Sequence, residues 1–150
     1  MSYTYTTLKT AIKDYTENDE PTFVRNLPVF IKNSEERILK NVQLSLFRKN
    51  VTGTMSSTSK YLEVPSDFLA PFSLAYVSSG EEIFADFKET DFVQSFSPDV
   101  SVKGLPRFYG QFDVNNFILA PAPNSNFSAE LHYFYRPASI TSSEFVITLN

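Results

Sequence analysis

Two different spacings of apolar residues divide this chain near residue 50. Before that point, apolar positions recur every three to four residues, which is the spacing of one face of a helix. After it, short runs rich in Phe, Tyr, Val and Ile are separated by Pro, Gly, Asn and Ser, as is typical of strands and turns. The pattern predicts an α+β fold. A helical lobe over residues 1–50 precedes a mostly antiparallel β-rich lobe over 51–150, as one structural unit with a shared core.

The helical lobe is predicted to contain two to three helices. The first covers residues 6–16, with Thr6 or Thr7 as its N-cap. The acidic and turn-forming residues 17–20 end it, and Pro21 then fits the first turn of a second helix.

Proline 28 predicts a break in the second helix, because an interior proline costs about 3 kcal/mol. The expected result is a short helix over residues 20–26 and a longer one from Pro28 to Phe47. Small Ser34 lies in the apolar stripe of the longer helix, where it would let a neighbouring helix approach closely. Basic residues 48–49 would close that helix, where its dipole favours cations.

The β lobe is predicted as a series of short strands with one short helix. An edge strand or loop covers residues 51–59, and residues 65–69 and 78–80 are turns. The expected elements that follow are strands over 60–64, 73–77 and 83–87, a helix over 89–96, and three consecutive strands over 107–112, 117–120 and 128–136.

The tyrosines of the last three strands are the candidate interface residues of the β lobe. Tyr109, Tyr133 and Tyr135, with Arg136, could form a platform that stacks on sugars or bases. Packing within the sheet or against a neighbouring subunit is the favoured interpretation, since Tyr and Arg are enriched at protein interfaces.

Composition narrows the function classes. The chain has 150 residues, of which 42% are hydrophobic and 15% aromatic, so a packed globular core is expected. Its net charge of −4 argues against a surface that wraps nucleic acid. The absence of cysteine excludes disulfides and thiolate metal sites. No signal peptide or membrane-spanning run is recognisable.

No set of residues predicts catalysis, a metal or a cofactor. The single histidine, His132, has no predicted triad partners and reads as a surface or interface imidazole. The acidic residues between positions 81 and 91 lack the spacing of a calcium loop and read as a solvated face. The four glycines form no nucleotide-binding motif. The sequence therefore predicts a protein that is not an enzyme.

Five short motifs follow one another in a fixed order along most of residues 5–140. They are Phe-Ile-Lys-Asn-Ser-Glu-Glu-Arg-Ile at 30–38, Val-Pro-Ser-Asp-Phe-Leu at 64–69, Gly-Leu-Pro-Arg-Phe-Tyr at 104–109, Phe-Ile-Leu-Ala-Pro-Ala-Pro at 117–123 and Tyr-Phe-Tyr-Arg-Pro at 133–137. In this order the motifs resemble those of the head-to-tail adaptor family of short-tailed bacteriophages, also called connector or head completion proteins.

The resemblance implies a virion structural protein at the head-tail junction, made in the host cytoplasm. Such adaptors form a homo-oligomeric ring, commonly a dodecamer, beneath the portal protein. The ring joins the portal to the tail nozzle or tail tube protein and continues the channel through which genomic DNA passes without specific binding. No membrane partner is implied. The candidate subunit or partner interface comprises Tyr109, Tyr133, Tyr135, Arg136, Arg37 and Ser34.

Two further expectations complete the sequence-based picture. Related chains continue past the Tyr-Arg-Pro motif into helices that grip the portal, whereas here the run at residues 145–149 is followed by Asn150 alone. Either the chain is truncated, or an element other than such helices attaches it to the portal. The alternative function is a carbohydrate- or ligand-binding β module of a phage tail, which would use the tyrosines and Arg136.

Overall fold

A computed structural model describes residues 3–42 and 45–142. The helical region comes first and a mostly antiparallel sheet follows, which confirms the predicted α+β fold. The chain divides into two compact units, one made of Met1–Gln43 with Pro137–Asn150 and the other of Leu44–Arg136. The sequence-based boundary at residue 50 stays a prediction, as does the shared core. The run at residues 145–149 lies outside the described residues.

The first helix, α1, spans Tyr5–Thr16 and begins with a capping box. The Thr7 N–H donates to the Thr4 hydroxyl at 3.2 Å, and the Thr4 N–H donates to the Thr7 hydroxyl at 2.9 Å. Two N–H groups at the helix start are thereby satisfied. The cap is Thr4, so the prediction of Thr6 or Thr7 is wrong, although Thr7 is the reciprocal partner.

The second helix, α2, spans Pro21–Asn41 without a break, so the predicted split at Pro28 is wrong. Pro28 lacks the N–H that would bond one turn back. Leu27 and Ile31, on either side of it, are 1% and 7% exposed. Burying each such side chain contributes about 1.5–3 kcal/mol, which offsets the roughly 3 kcal/mol cost of the proline.

Helix α2 ends at Asn41, six residues before the predicted end at Phe47. Val42 is already extended, and Ser45–Phe47 forms a single 3₁₀ turn. Arg48 and Lys49 open a strand instead of closing the helix, because they pair across the sheet with residues 133–134. Long-range pairing overrides the local preference for cations at a helix end.

One large sheet dominates the second unit. Its strands, with the short helix α3 and a two-stranded pair, are β1 Arg48–Met55, β2 Tyr61–Glu63, β3 Phe68–Ser78, β4 Glu81–Phe87, α3 Thr90–Phe96, β5 Lys103–Gly104, β6 Phe108–Gln111, β7 Asn116–Ala120, β8 Ala122–Pro123 and β9 Phe127–Tyr135. The order is β1-β9-β3-β4-β6-β7-β2, and β5 pairs with β8 separately. Only β4–β6 and β5–β8 are parallel among these pairs.

The last long strand, β9, lies between β1 and β3. The strands expected over 107–112, 117–120 and 128–136 all form, but only the first two are adjacent in the sheet. Strands β6 and β7 pair with each other, whereas β9 pairs with β1 and β3. Sequence neighbours were expected to be spatial neighbours, which holds for about two-thirds of consecutive elements.

The sheet curls around a single core. Rings on β3 and β7, which are three strands apart, meet edge to face, with the centroids of Phe68 and Phe117 5.2 Å apart. Every long strand contributes to this cluster, whose buried members are Met55, Leu74, Tyr76, Ala85, Tyr109, Phe117, Leu119, Phe127, Ala129, Leu131 and Tyr133. The arrangement is that of an incompletely closed barrel, with β1 and β2 at its open ends.

Helix α3 covers the opposite side of β6 and β7. Its Val93 is 1% exposed and packs with Ile118 and Ala120. Phe92 and Phe96 contact the ring of Phe108 edge to face, at 5.2 and 4.8 Å. The short helix predicted over 89–96 is therefore confirmed.

Candidate interaction surfaces

Two of the three candidate tyrosines lie inside the core. Tyr109 is 1% and Tyr133 is 3% exposed. Burial, with a smaller contribution from Asp86, raises the pKa of Tyr109 to about 12. A ring that stacks on a ligand needs an open face, and neither ring has one. The side chain of Tyr109 instead belongs to the core inside the barrel.

Tyr135 and Arg136 lie where β9 ends. The ring of Tyr135 is half-buried, and it contacts Phe47 edge to face at 6.3 Å. The Lys49 ammonium lies 4.5 Å from its centroid, within cation–π range. The backbone N–H of Arg136 donates to the Asp67 carbonyl at 2.7 Å, while its side chain is exposed.

Asp67 joins three strands at this end of the sheet. Its carboxylate accepts a hydrogen bond from the Tyr133 hydroxyl at 2.7 Å and one from the Lys49 ammonium at 2.6 Å. Burial alone would raise the pKa of Asp67, but these two bonds outweigh it and the pKa is lowered. Burial and the bond to Asp67 raise the pKa of Tyr133 to about 12. Sequence analysis assigned Asp67 only to a turn.

Replacing Asp67 by Asn should reduce stability at neutral pH by about 1.5–3 kcal/mol, the usual contribution of hydrogen bonds to a charged group. The folded-state pKa is lowered, so the carboxylate stabilises the fold above its unfolded pKa. That contribution is lost as the pH falls through the folded pKa. The unsubstituted protein and Asp67→Asn should therefore differ less in their free energy of urea unfolding as the pH is lowered from 7 towards 2. Asp91→Asn, an exposed site on α3, is the charge-matched control, and a constant difference for Asp67→Asn would contradict the expectation.

Helix α2 exposes a stripe that contains two of the predicted interface residues. Ser34 and Arg37 are both exposed, and they share a face with Phe23 and Phe30 at helical spacing. Phe30 is 49% exposed, and its ring lies 6.2 Å from that of Phe23. The Ser34 hydroxyl donates to the Phe30 carbonyl at 2.9 Å, so it does not project from the helix. We call Phe23, Phe30, Ser34 and Arg37 the α2 stripe.

Sequence analysis missed the two phenylalanines of the α2 stripe. The assumed break at Pro28 separated Phe23 from the residues after it and hid their common face. In one continuous helix, a spacing of seven residues separates Phe23 from Phe30 and Phe30 from Arg37. This spacing is the signal that identifies the stripe.

The outer face of β9 carries His132. Its Nε2 lies 3.1 Å from Glu130 Oε1, and the Asn50 side-chain amide donates to the same carboxylate oxygen. The imidazole is partly exposed, as predicted for a surface histidine. Ser73 on β3 is its cross-strand partner.

The described residues hold no group of three or more His, Cys, Asp or Glu side chains placed to bind a metal ion. The acidic residues predicted as a solvated face, Glu81, Glu82, Asp86, Glu89 and Asp91, are all exposed. Among the helices of residues 3–42 and 45–142, none has the length and apolar character of a membrane span.

Comparison with known proteins identifies a family. The family model described as SU10 adaptor protein matches residues 3–148, nearly the entire chain. No curated protein matches the chain. The match extends over both compact units and over all five motifs of the sequence resemblance. The chain therefore belongs to the SU10 adaptor protein family, which confirms the predicted relationship to phage head-to-tail adaptors.

Proposed function

We propose that this protein is a non-enzymatic virion subunit that forms a ring beneath the portal and joins it to the tail nozzle or tail tube. Membership of a phage adaptor family over residues 3–148 carries the proposal. The ring, a dodecamer by analogy with related adaptors, would continue the DNA channel at the head-tail junction. Its net charge of −4 suits a wall along which phosphates slide without binding.

The α2 stripe is the proposed contact between neighbouring subunits. Half-buried Phe23 and exposed Phe30 lie beside Arg37, and this composition matches that of protein interfaces. Small Ser34 lies between them, so a neighbouring helix could approach the backbone there. Arg136, which lies in the other compact unit and is exposed at the end of β9, is proposed as a separate contact residue. Tyr109 and Tyr133 are left out because they are buried.

The carbohydrate-binding alternative has less support. A platform of Tyr109, Tyr133 and Tyr135 would need three accessible ring faces, and two of these rings are almost fully buried. Exposing them would open the core around Phe117, whose centroid lies 5.3 Å from that of Tyr109. No observation on the described residues favours this function.

Substituting Ser34 by Trp should prevent ring assembly. The large ring would occupy the space that a neighbouring helix needs, while the exposed site should tolerate it within the monomer. Native mass spectrometry and negative-stain imaging of the chain mixed with its portal protein measure the result. Unsubstituted protein should form rings, and the variant should stay a monomer or small oligomer.

Lys32→Trp is the matched control, because Lys32 is exposed on the same helix about 200° around its axis from Ser34. This variant should assemble normally. Rings from both tryptophan variants would remove the α2 stripe as the contact. If the unsubstituted protein and both variants all stayed monomeric and did not bind the portal protein, the proposed adaptor ring itself would be contradicted.

A further inference from the structure

The outer edge of strand β1 is open along almost all of its length. Strand β1 lies at one end of the sheet and pairs with β9. Seven of its eight residues are exposed, and only Met55 is buried. Within residues 3–42 and 45–142, no other strand pairs with this edge. Alternate residues of such a strand direct N–H and C=O groups away from the sheet, so the edge can pair with another strand.

This edge lacks the devices that usually protect a sheet from unwanted pairing. Such devices are charged residues, proline, bulges and very short strands. The two charges of β1, Arg48 and Lys49, are at its first residues, and residues 50–54 carry neither charge nor proline. Its register with β9 runs from Arg48 to Met55 without a bulge. The opposite end of the sheet, β2, has only three residues and is soon followed by Pro65.

A complementary segment is present in the sequence. Residues 145–149, outside the described part of the chain, read Phe-Val-Ile-Thr-Leu. Three β-branched residues with Phe and Leu, and no charge or proline, are a composition with high strand propensity. The run has five residues, as does the exposed, uncharged part of β1 at 50–54.

We propose that residues 145–149 of a second copy add to the open edge of β1 as a further strand. Main-chain hydrogen bonds would supply the affinity, as in other cases of strand addition. The contact joins two different surfaces, so it can repeat from copy to copy and close into a ring. The choice of a second copy as the donor rests on the proposed ring.

Single-cysteine chains test this directly, because the natural chain contains no cysteine. One full-length chain carries Thr52→Cys, and a second, of different mass through a tag, carries a cysteine in turn at each of residues 145–149. Thr52 lies in the middle of the uncharged stretch and is exposed. Each chain alone and each 1:1 mixture is oxidised mildly and run on a non-reducing gel.

The expected result is a mixed disulfide dimer that appears only in the mixtures. Its yield should alternate along residues 145–149, because successive side chains of a strand point to opposite faces. Val114→Cys, 82% exposed in the β6–β7 turn, replaces Thr52→Cys as the control and should give no such pattern.

Three outcomes would overturn the inference. A Thr52→Cys dimer without a partner chain would mean that β1 pairs with β1 of a second copy. A fast-migrating monomer from a chain carrying both cysteines, without mixed dimers, would mean that each segment folds onto its own sheet. Rings that assemble with the portal but give no mixed disulfide would reject this contact and leave the proposed ring intact.

Discussion

Replacing Phe117 by Ala should remove about 3–5 kcal/mol from the free energy of unfolding, as for other buried Phe residues. Phe117 is fully buried, and its ring contacts Phe68 at 5.2 Å and Tyr109 at 5.3 Å, both edge to face. Truncation would leave a cavity where strands from both sides of the curled sheet meet. Since a domain is stable by only about 5–15 kcal/mol, much of the total would be lost.

Urea unfolding followed by far-ultraviolet circular dichroism measures this loss, since the chain has no tryptophan to report on it. Phe84→Ala is the matched control. Phe84 lies on β4 of the same sheet but is 62% exposed. Its truncation should change stability by no more than about 0.5 kcal/mol. Similar losses from the two variants would be incompatible with a core centred on Phe117.

Gly110→Ala should destabilise the same unit by about 1–3 kcal/mol, through overpacking. A Cβ at this position would lie 2.7 Å from the Lys88 carbonyl oxygen and 3.2 Å from Val93 Cγ2. The first of these atoms belongs to the backbone just before α3, where the Lys88 N–H donates to the Tyr109 carbonyl at 2.8 Å. The Lys88 carbonyl oxygen cannot move without displacing the start of α3.

Gly53→Ala provides the comparison for Gly110→Ala. Gly53 lies in β1, and a Cβ there would have no atom within 4 Å. Alanine should fit at this position. Because it restricts the unfolded chain, it could raise the free energy of unfolding by up to about 1 kcal/mol. Far-ultraviolet circular dichroism in urea again measures both. If Gly110→Ala and Gly53→Ala had the same free energy of unfolding, the close approach of α3 to β6 would be disproved.

Local patterns predicted the elements whose environment is set by near neighbours. The strand predicted over 128–136 forms as β9, and its Ala129, Leu131 and Tyr133 line the core. The turn at Ser79 and Gly80 was also predicted, and both residues have positive φ, as the tight connection between β3 and β4 requires.

What escaped prediction depends on contacts between distant residues. The continuity of α2 through Pro28 depends on the burial of Leu27 and Ile31, which no local rule measures. Tyr109 faces the core because the sheet curls, and a strand pattern does not reveal curvature. In the candidate interface, helical spacing and the motif at 30–38 pointed to Ser34 and Arg37. Phe23 shares this face only because α2 continues through Pro28.

Because β9 lies between β1 and β3, β1 can pair in the sheet only late in the synthesis of the chain. Asn50 on β1 and Glu130 on β9 are in hydrogen-bonding contact, yet 80 residues separate them. Strand β1 therefore emerges long before β9, the strand that pairs with it within the described residues, is translated. Until then its main chain has no native pairing, and contacts of this range close slowly. The nascent protein is consequently most vulnerable to aggregation and chaperone capture before β9 leaves the exit tunnel.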